Sequence, residues 1–547
     1  MFRAPQIRLR RHSLKDLYFR IPSCRYSSDE AAKYAHRKTI VAQNPAQYYP
    51  PIGITRTCTP VLRVRDFVSR FGKMDFTKYA SKRHPDLVQL EGRVKSVRKA
   101  GKAMYFLDIV QDDAVVQICA SNKLLENMDK EMFAKLHSFI RKGDYITCVG
   151  QASVTNVGEL TLKVNQPIMV SCPSLNLATL PDKVSDRSLI NSDRVMNYLV
   201  NSESKERILI KAAVTRAIRN FLLEDNFTEV NTPLIAGAGT GANAEPFYTT
   251  SKALQDARLQ LRVAPELWLK KLVIGGFDKV FEIGPNFRNE GIDSTHNPEF
   301  LTCEFYRSFT SLPELMKLTE DMLKSIYDEL AAKQDDIKLL QHTLTDLSPL
   351  QKQEYPKFEF VPTLEEKTGV KLPEELTTEA LLKYHDRIGV SPPKTKSPAG
   401  LLDNLSSKLL ETISLEQRNT PTFIYNQPAI MSPLAKSATV HYDERAFEVS
   451  LRFELFINGK EYVNSYEEEN SPFAQADKFR LQQRAKADYQ DNDMLIPDWN
   501  YVKSMEYGLP PTGGWGCGID RLSMLFSGTS RIEDVLTFGV LKDVVKQ

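Results

Sequence analysis

Between residues 86 and 172 apolar and polar side chains alternate in five short runs, LVQLEGRVKSVR, AMYFLDIV, AVVQICA, YITCVGQAS and LTLKVNQPIMV. A period of two is that of a strand with one face buried, and Gly92, Gly101, Asp112-Asp113, Gly143-Asp144 and Gly158 punctuate the runs as turns do. Lys123–Phe139 interrupts them with a helical pattern. From Ser204 the period lengthens: Ile208, Ala212, Ile218, Phe221 and Leu222 form the stripe of a helix running to Leu223, with Glu203 and Glu206 about its first turn. Two more strands are predicted over Phe281–Arg288 and Phe300–Arg307, joined by a polar loop. Phe300, Thr302, Glu304 and Tyr306 share one face of the second. Leu315, Leu318, Met322, Ile326 and Leu330 give residues 311–330 a helical stripe that reads as packing. Alternation returns at Phe453, Leu455 and Ile457 with Gly459 at a turn, and a glycine-rich stretch, GLPPTGGWGCGIDRLSMLFSG, then runs into a helix.

These elements divide the chain. Residues 29–85 read as a helical lead-in, 86–172 as one domain, 173–203 (with Pro173 and Pro181) as a linker, and 204–547 as a larger domain. Within the last, 331–420 carries Pro356, Pro362, Pro373 and Pro392-Pro393 and reads as an insertion with no assignable chemistry. Five strands with a helix after the third is the order of an OB-fold barrel, a recurrent oligonucleotide binder. A hydrophobic content of 42% and a charged content of 26% are those of an ordinary globular protein, and a net charge of +3 decides nothing about an anionic partner. The seven cysteines form no CxxC pair and no His/Cys cluster at zinc spacing, which predicts reduced thiols and no structural zinc. No apolar run reaches the ~18 residues of a transmembrane helix, so no membrane span is expected. Residues 1–28 differ in kind: Arg3, Arg8, Arg10, Arg11, Lys15, Arg20 and Arg25 face one acid, Asp16, among interleaved apolar residues. That is the composition of a mitochondrial transit peptide; a basic nucleic-acid-binding arm or a disordered tail are the alternatives.

Candidate chemistry concentrates in residues 286–306, NFRNEGIDSTHNPEFLTCEFY, which hold Arg288, Glu290, His296, Glu299, Glu304 and Tyr306. An antiparallel pair with this loop would line a pocket with an arginine, a histidine and two carboxylates; the plainer reading is a hairpin with surface ion pairs of little energetic weight. Glu454 and Glu461 fall across a predicted hairpin, two carboxylates that repel unless a cation lies between them. In the barrel, Arg98, Tyr105 and Phe106 suit a surface where phosphates pass and bases stack, stacking being worth ~1–3 kcal/mol per base. Alternatively the two aromatics are core and Arg98 is solvated; of two adjacent aromatics, one must face inward.

FRNEG followed by HNPEF resembles motif 2 of the class II aminoacyl-tRNA synthetases, and the continuation TCEFY looks like the lysyl-tRNA synthetase version. The long helix, FTEVNTPLI and Pro233 resemble motif 1, and GIDR after the glycine-rich stretch resembles motif 3. The likeness spans about residues 86–330 and 420–542. It implies an α+β chain: a five-stranded OB-fold barrel that binds the anticodon, then a catalytic domain built on an antiparallel sheet flanked by helices. It implies a homodimer, and ATP-dependent activation of L-lysine to lysyl-adenylate with transfer to the 3′ end of tRNA(Lys). With the basic leader, the mitochondrial matrix is the implied location.

The same resemblance assigns roles to residues. Arg288 and Arg521 become catalytic, Arg288 bridging the α-phosphate of ATP and the substrate carboxylate, Arg521 joining His296 at the γ-phosphate and lying against adenine. Phe300 stacks on adenine's other face, Glu290 accepts from its amino group, and Asn297 and Gly518 are further ATP contacts. Glu454 and Glu461 match the Mg²⁺ ligands and contact ATP through the ion. Gly241, where the family has two adjacent glycines and this chain has Thr240-Gly241, and Glu266 meet the backbone end of lysine. Glu304, Tyr306 and Glu468 surround its ε-ammonium, with Asn464 and Tyr466 lining the pocket. Arg98, Tyr105 and Gln117 match the anticodon readers. Aspartyl and asparaginyl relatives share this architecture, but acids here would be wrong or wasteful for an acid or amide substrate. Two other rivals are an RNA-binding protein with an inactive synthetase-like domain, against which Arg288 and Arg521 both stand, and a ligase that couples lysine to protein, which would lack the barrel.

Overall fold

The computed structural model describes residues 28–56, 60–101, 103–125, 128–176, 180–237, 244–489 and 497–545. The basic leader before Ser28 and Gly241 lie outside them. The chain divides into two compact units between Asp182 and Lys183.

The first unit opens with helix α1 (Ser28–Gln43), then strand β1 (Val61–Leu62) and helix α2 (Val64–Phe71). There follow β2 (Arg83–Lys99), β3 (Met104–Gln111), β4 (Ala114–Ser121), helix α3 (Lys130–Phe139), β5 (Tyr145–Val154), β6 (Leu160–Val164) and β7 (Met169–Cys172). Their order is β1-β2-β3-β4-β6-β5-β7, and a further pairing of β2 with β5 closes the barrel. Two sequence expectations shift here. The run LTLKVNQPIMV splits into β6 and β7, because Pro167 has no N–H for the ladder. The helix begins at Lys130 and not Lys123, because Asp129 caps it, accepting from the Met132 N–H at 2.7 Å. Val88, Leu90, Leu107, Ile109, Ile118 and Leu162 fill the interior. Arg37 of α1 is tied to the barrel by a buried ion pair with Asp144 at 2.7 Å.

The second unit is built on an eight-stranded sheet. In chain order its parts are helix α4 (Ser202–Glu224), β8 (Thr228–Glu229), helix α5 (Glu266–Ile274), β9 (Lys279–Phe287), β10 (Glu299–Ser308) and helix α6 (Leu312–Ala331). β11 (Lys357–Glu359), β12 (Thr422–Tyr425), β13 (Arg452–Ile457), β14 (Lys460–Glu467), β15 (Thr512–Gly518) and helix α7 (Ile519–Phe526) complete it. The sheet runs β11-β12-β13-β14-β15-β10-β9-β8, antiparallel throughout its centre. One face packs on α4 and α6: Phe281, Cys303, Phe305, Phe453, Leu455, Val463 and Trp515 meet Ile210, Val214, Ile218, Leu315, Met322 and Ile326. The buried stripe of α4 is Ile210, Ala213, Val214, Ala217, Ile218 and Leu222, displaced from the one the sequence predicted; Ala212 is exposed. The reason is that α4 packs against both α6 and α7, so its apolar face turns to meet two partners.

Period two sends the alternate residues to the other face, where two rows cross the sheet. Glu282, Glu304, Gly516, Asn464 and Glu454 stand opposite one another in turn on β9, β10, β15, β14 and β13. Val280, Tyr306, Gly514, Tyr466 and Arg452 form the next row. The glycines in mid-row leave space above the sheet floor. Residues 331–420, expected as an insertion, include helices Phe360–Thr368, Thr378–Ile388 and Pro398–Leu405, which pack with a hairpin further along the chain (Ser437–Tyr442 with Arg445–Ser450) around Leu364, Leu381, Leu401, Leu402 and Phe447. Among the described residues no helix is long and apolar enough to cross a membrane, and Cys119, Cys148, Cys172, Cys303 and Cys517 are free thiols.

Candidate active site

Beyond their β9 members, Val280 and Glu282, the two rows form the floor of a cavity of about 470 Å³. Glu266, Arg288, Glu290, His296, Asn297, Phe300, Glu304, Tyr306, Glu454, Glu461, Asn464, Tyr466, Glu468, Gly518 and Arg521 all line it. Residues more than two hundred positions apart thus converge on one space.

One end is acidic. Glu266, in the first turn of α5, accepts on Oε1 from the Tyr466 hydroxyl at 2.6 Å and from Lys270 Nζ at 2.6 Å. Glu468 follows β14; its carboxylate pairs with the same Lys270, while Oε1 is buried without a hydrogen-bond partner. Glu304 projects from β10, 3.5 Å from the Tyr306 hydroxyl. Burial, with the Glu266 charge added, pushes the Glu304 carboxyl up to about 8. Burial likewise raises Glu468 and the phenols of Tyr306 and Tyr466. Gly514 permits this closure: a Cβ there would stand 1.9 Å from Glu468 Oε1 and 2.8 Å from Tyr306 Cε1. Lys270 escaped the sequence reading, although Glu266 lies four residues before it on one helix, the spacing of a side-chain pair.

The other end is cationic. Arg288 follows β9, its N–H bonded to the Pro298 carbonyl at 2.9 Å and its guanidinium 5.2 Å from the centroid of the Phe300 ring. Nε is buried without a partner, and among the described residues no carboxylate pairs with this arginine. Behind it lies a buried pair, Arg262 with Glu282 at 2.6 Å, to which Thr232 adds by donating from N and Oγ1 to Glu282 and accepting on Oγ1 from Arg262. This network anchors the segment before Pro233 to β9. Arg521 in α7 donates to the Glu461 carbonyl at 3.0 Å and to His296 Nε2 at 2.8 Å. A guanidinium only donates, so Nε2 accepts, and the ring proton sits on Nδ1, 2.9 Å from Asp293 Oδ2. Burial works against ionising Asp293, but the Thr295 N–H and His296 outweigh it and hold the carboxyl down to about 2. Asp520 is pinned by Lys211 of α4 and by the Leu301 N–H at 2.8 Å, fixing α7 against β10. Asn297 lines the rim with both polar atoms engaged, donating to the Glu299 carbonyl at 2.7 Å and accepting from the Leu541 N–H at 2.9 Å. Glu290 is exposed at the mouth.

Glu454 and Glu461 do not face each other directly. A bulge between Leu455 and Phe456 sets Glu454 opposite Asn464 and Glu461 opposite Phe456. Each carboxylate has an arginine: Arg452 on Glu454, which also binds Asn464 Oδ1 at 2.9 Å, and Arg521 3.7 Å from Glu461. Burial still raises Glu454, and the Glu461 charge adds to it despite Arg452. From the insertion, Glu411 is pushed up to about 7 by burial, with Glu454, Asp403 and Glu461 adding to it. Glu454 and Glu461, on neighbouring strands, would form an oxygen donor set in which a divalent cation relieves their repulsion, and few protein ligands with open positions suit Mg²⁺. Among the described residues no group of three or more His, Cys, Asp or Glu side chains gathers for a metal.

On the barrel, Arg98 stands opposite Phe106 and Asp108 opposite Gln117, so all four share the outer face. Tyr105 does not. It is turned inward, 5% exposed, its ring 5.1 Å from His137 and 5.8 Å from Phe133. Tyr105, expected as a stacking ring, is therefore not on the outer face; of the two adjacent aromatics the half-buried Phe106 is, because adjacent strand residues point to opposite faces. Gln117 is buried as well, 5% exposed, donating to Glu159 at 2.9 Å with Oε1 unpartnered among the described residues.

Comparison with known proteins agrees with this geometry. Residues 186–542 match the family of class II tRNA synthetases (D, K and N), and residues 88–168 match the OB-fold nucleic acid binding domain. The mitochondrial lysine–tRNA ligase of Saccharomyces cerevisiae is 37% identical, covering 93% of this chain and 92% of its own length. That of Schizosaccharomyces pombe is 36% identical over 83% of this chain and 84% of its own, and a lysine–tRNA ligase of Lactococcus lactis subsp. cremoris is 34% identical over 82% and 87%. With both motif-bearing ends of the cavity in place and likeness running along most of its length, the chain belongs to the class II aminoacyl-tRNA synthetases, among the lysine–tRNA ligases.

Proposed function

We propose that the cavity binds L-lysine with its ε-ammonium among Glu304, Tyr306 and Glu468 and its α-ammonium at Glu266, and that Arg288 spans the lysine carboxylate and the α-phosphate of ATP. The observation that carries this reading is the partition of the cavity into an end with three carboxylates and an end with an unpaired arginine. A zwitterion with a cationic side chain complements the first; a carboxylate approaching a phosphate needs the second. The carboxylate oxygen of lysine attacks the α-phosphorus, the bond to the bridging oxygen breaks, and pyrophosphate leaves. The nucleophile is already an anion at neutral pH, so positioning and charge neutralisation supply the rate. The terminal ribose hydroxyl of tRNA(Lys) then attacks the lysyl carbonyl and AMP departs.

In this reading Phe300 and Arg521 sandwich adenine, Glu290 accepts from its amino group, and His296 with Arg521 receives the γ-phosphate. Asn297 holds the loop, and the Gly518 backbone lies beside the nucleotide. Glu454 and Glu461 would hold Mg²⁺, which neutralises phosphate charge when bound. Arg98, Phe106 and Gln117 would read the anticodon, with the barrel at residues 86–172, the linker at 173–203 and the catalytic domain at 204–547. The exposed Leu209 and Leu223 on α4, with Leu234 and Ile235 after Pro233, support a homodimer through this segment. The basic leader and the mitochondrial relatives support a mitochondrial location, in the matrix.

The test is amino-acid-dependent ATP–pyrophosphate exchange on the full chain with each of the twenty amino acids. Exchange with lysine alone is expected. Exchange with a different amino acid would overturn the roles of Glu304 and Glu468.

A further inference from the structure

Lys270 is the most buried charge of the acidic end, 0% exposed, and it does not line the cavity. It stands behind two residues that do. Its Nζ is 2.6 Å from Glu266 Oε1 and is paired with Glu468 Oε2, and the ring centroids of Tyr306, Tyr466 and Tyr501 surround it at 5.9, 5.6 and 5.9 Å. An ammonium held between carboxylates within a cage of aromatic rings is the chemistry of a bound lysine side chain, supplied here by the chain itself.

Charge counting shows why it is needed. With lysine bound and the Glu304 proton displaced, Glu266, Glu304 and Glu468 would bring three negative charges, and Arg288 and Lys270 two positive ones. Lysine, with two ammonium groups and a carboxylate, arrives with one net positive charge, and the sum is zero. Without Lys270 one buried carboxylate is left without a cation, a costly state that the group escapes by taking a proton and so losing its attraction for the substrate. We propose that Lys270 is a positioning residue that orients Glu266 and Glu468 and supplies the cation the two carboxylates share, and thereby sets the affinity for lysine and the pH range over which lysine is bound.

The groups facing this pair are few. Glu266 lies on the same helix; Glu468 and Tyr466 come from β14 and the residue after it, Glu304 and Tyr306 from β10, and Tyr501 from the helix Trp499–Met505. Burial pulls the Lys270 ammonium down, but Glu266 and Glu468 outweigh it and keep it protonated. The three phenols are all raised by burial. At Glu468 burial disfavours the charged carboxyl and Lys270 opposes it, so that carboxyl responds when the ammonium is removed.

The inference rests on the reading of Glu266 and Glu468 as lysine ligands, and the experiment separates the two. Lysine-dependent ATP–pyrophosphate exchange is measured from pH 6 to 9 on the full chain as wild type, Lys270→Met, Lys270→Arg and Glu468→Gln. Lys270→Met is expected to raise the KM for lysine tenfold or more. The KM for ATP should stay within twofold and kcat within threefold, and the midpoint of the kcat/KM profile for lysine should move up by at least one pH unit. Lys270→Arg keeps the charge and should keep the wild-type midpoint, even where its bulk alters KM. An unchanged lysine KM and midpoint in Lys270→Met overturns the proposal. Should Lys270→Met not fold, Lys270→Arg decides, since a midpoint displaced by a unit or more in that variant shows that charge is not what Lys270 supplies. If Glu468→Gln leaves the lysine KM untouched, the pocket assignment itself is wrong; if it raises KM while Lys270→Met does not, only the present inference falls.

Discussion

Gly514→Ala tests the acidic end of the cavity through one methyl group. Gly514 lies on β15 between Tyr306 on β10 and Tyr466 on β14, paired on both sides, so the backbone cannot yield without breaking two ladders. The added Cβ would stand 1.9 Å from Glu468 Oε1, and ordinary contact begins at 3.4 Å, so the carboxylate must retreat by about 1.5 Å. The Tyr306 ring, at 2.8 Å, blocks part of that retreat. A displacement of about 1 Å at a substrate-holding group costs ~10²-fold in rate, or ~2.7 kcal/mol of transition-state stabilisation. The expected result is a fall of about two orders of magnitude in kcat/KM for lysine in pyrophosphate exchange, with the KM for ATP nearly unchanged. Gly516→Ala is the control for folding: its Cβ meets nothing nearer than Glu304 Cγ at 3.4 Å, so overpacking of ~1–3 kcal/mol should lower the Tm of Gly514→Ala and not that of Gly516→Ala. A folded Gly514→Ala enzyme with a wild-type KM for lysine would refute the reasoning, because Glu468 would then be free to move or would not touch the substrate.

Arg288→Ala should lower exchange by ~10³-fold or more without lowering Tm, since no carboxylate among the described residues forms an ion pair with this arginine; normal exchange would remove it from the chemistry. Phe106→Ala should weaken tRNA charging by ~1–3 kcal/mol, read as the KM for tRNA, and spare exchange, whereas Tyr105→Ala should instead destabilise the barrel by ~3–5 kcal/mol, read by denaturant unfolding. Glu304, pushed up to about 8 from 4.5, keeps its proton at pH 7 in the folded protein and loses it in the unfolded chain, so its contribution to stability falls as pH rises from 4.5 to 8. Lysine binding near pH 7 should displace that proton, and titration calorimetry in phosphate and in Tris should give apparent enthalpies that differ; equal enthalpies would exclude it. Asp293→Asn should free the His296 ring to change tautomer and raise the KM for ATP several-fold, with the KM for lysine unmoved; the reverse pattern would place this pair elsewhere in the reaction.

Much of this protein is decided by local pattern. Period-two alternation marks the strands, and because every second residue shares a face, Phe300, Thr302, Glu304 and Tyr306 were already a row before any fold was known. FRNEG with HNPEF and the glycine-rich stretch with GIDR pointed to the ends of the cavity through their resemblance to motifs 2 and 3 of the class II synthetases. What the sequence does not determine is phase and partnership. The choice between Tyr105 and Phe106 hangs on one residue of register, which is fixed when the barrel closes and β3 pairs with β2 and β4. The turn of α4 depends on its having two packing partners. Glu454 and Glu461 are offset by a bulge that no local pattern announced. Lys270 looks like any helical lysine until α5 is laid against β10 and β14, where burial removes its water and leaves Glu266 and Glu468 as its surroundings. Alternation and motif are properties of neighbours along the chain; register, burial and charge pairing arise only between segments that the chain brings together, and those decide which side chain does the work.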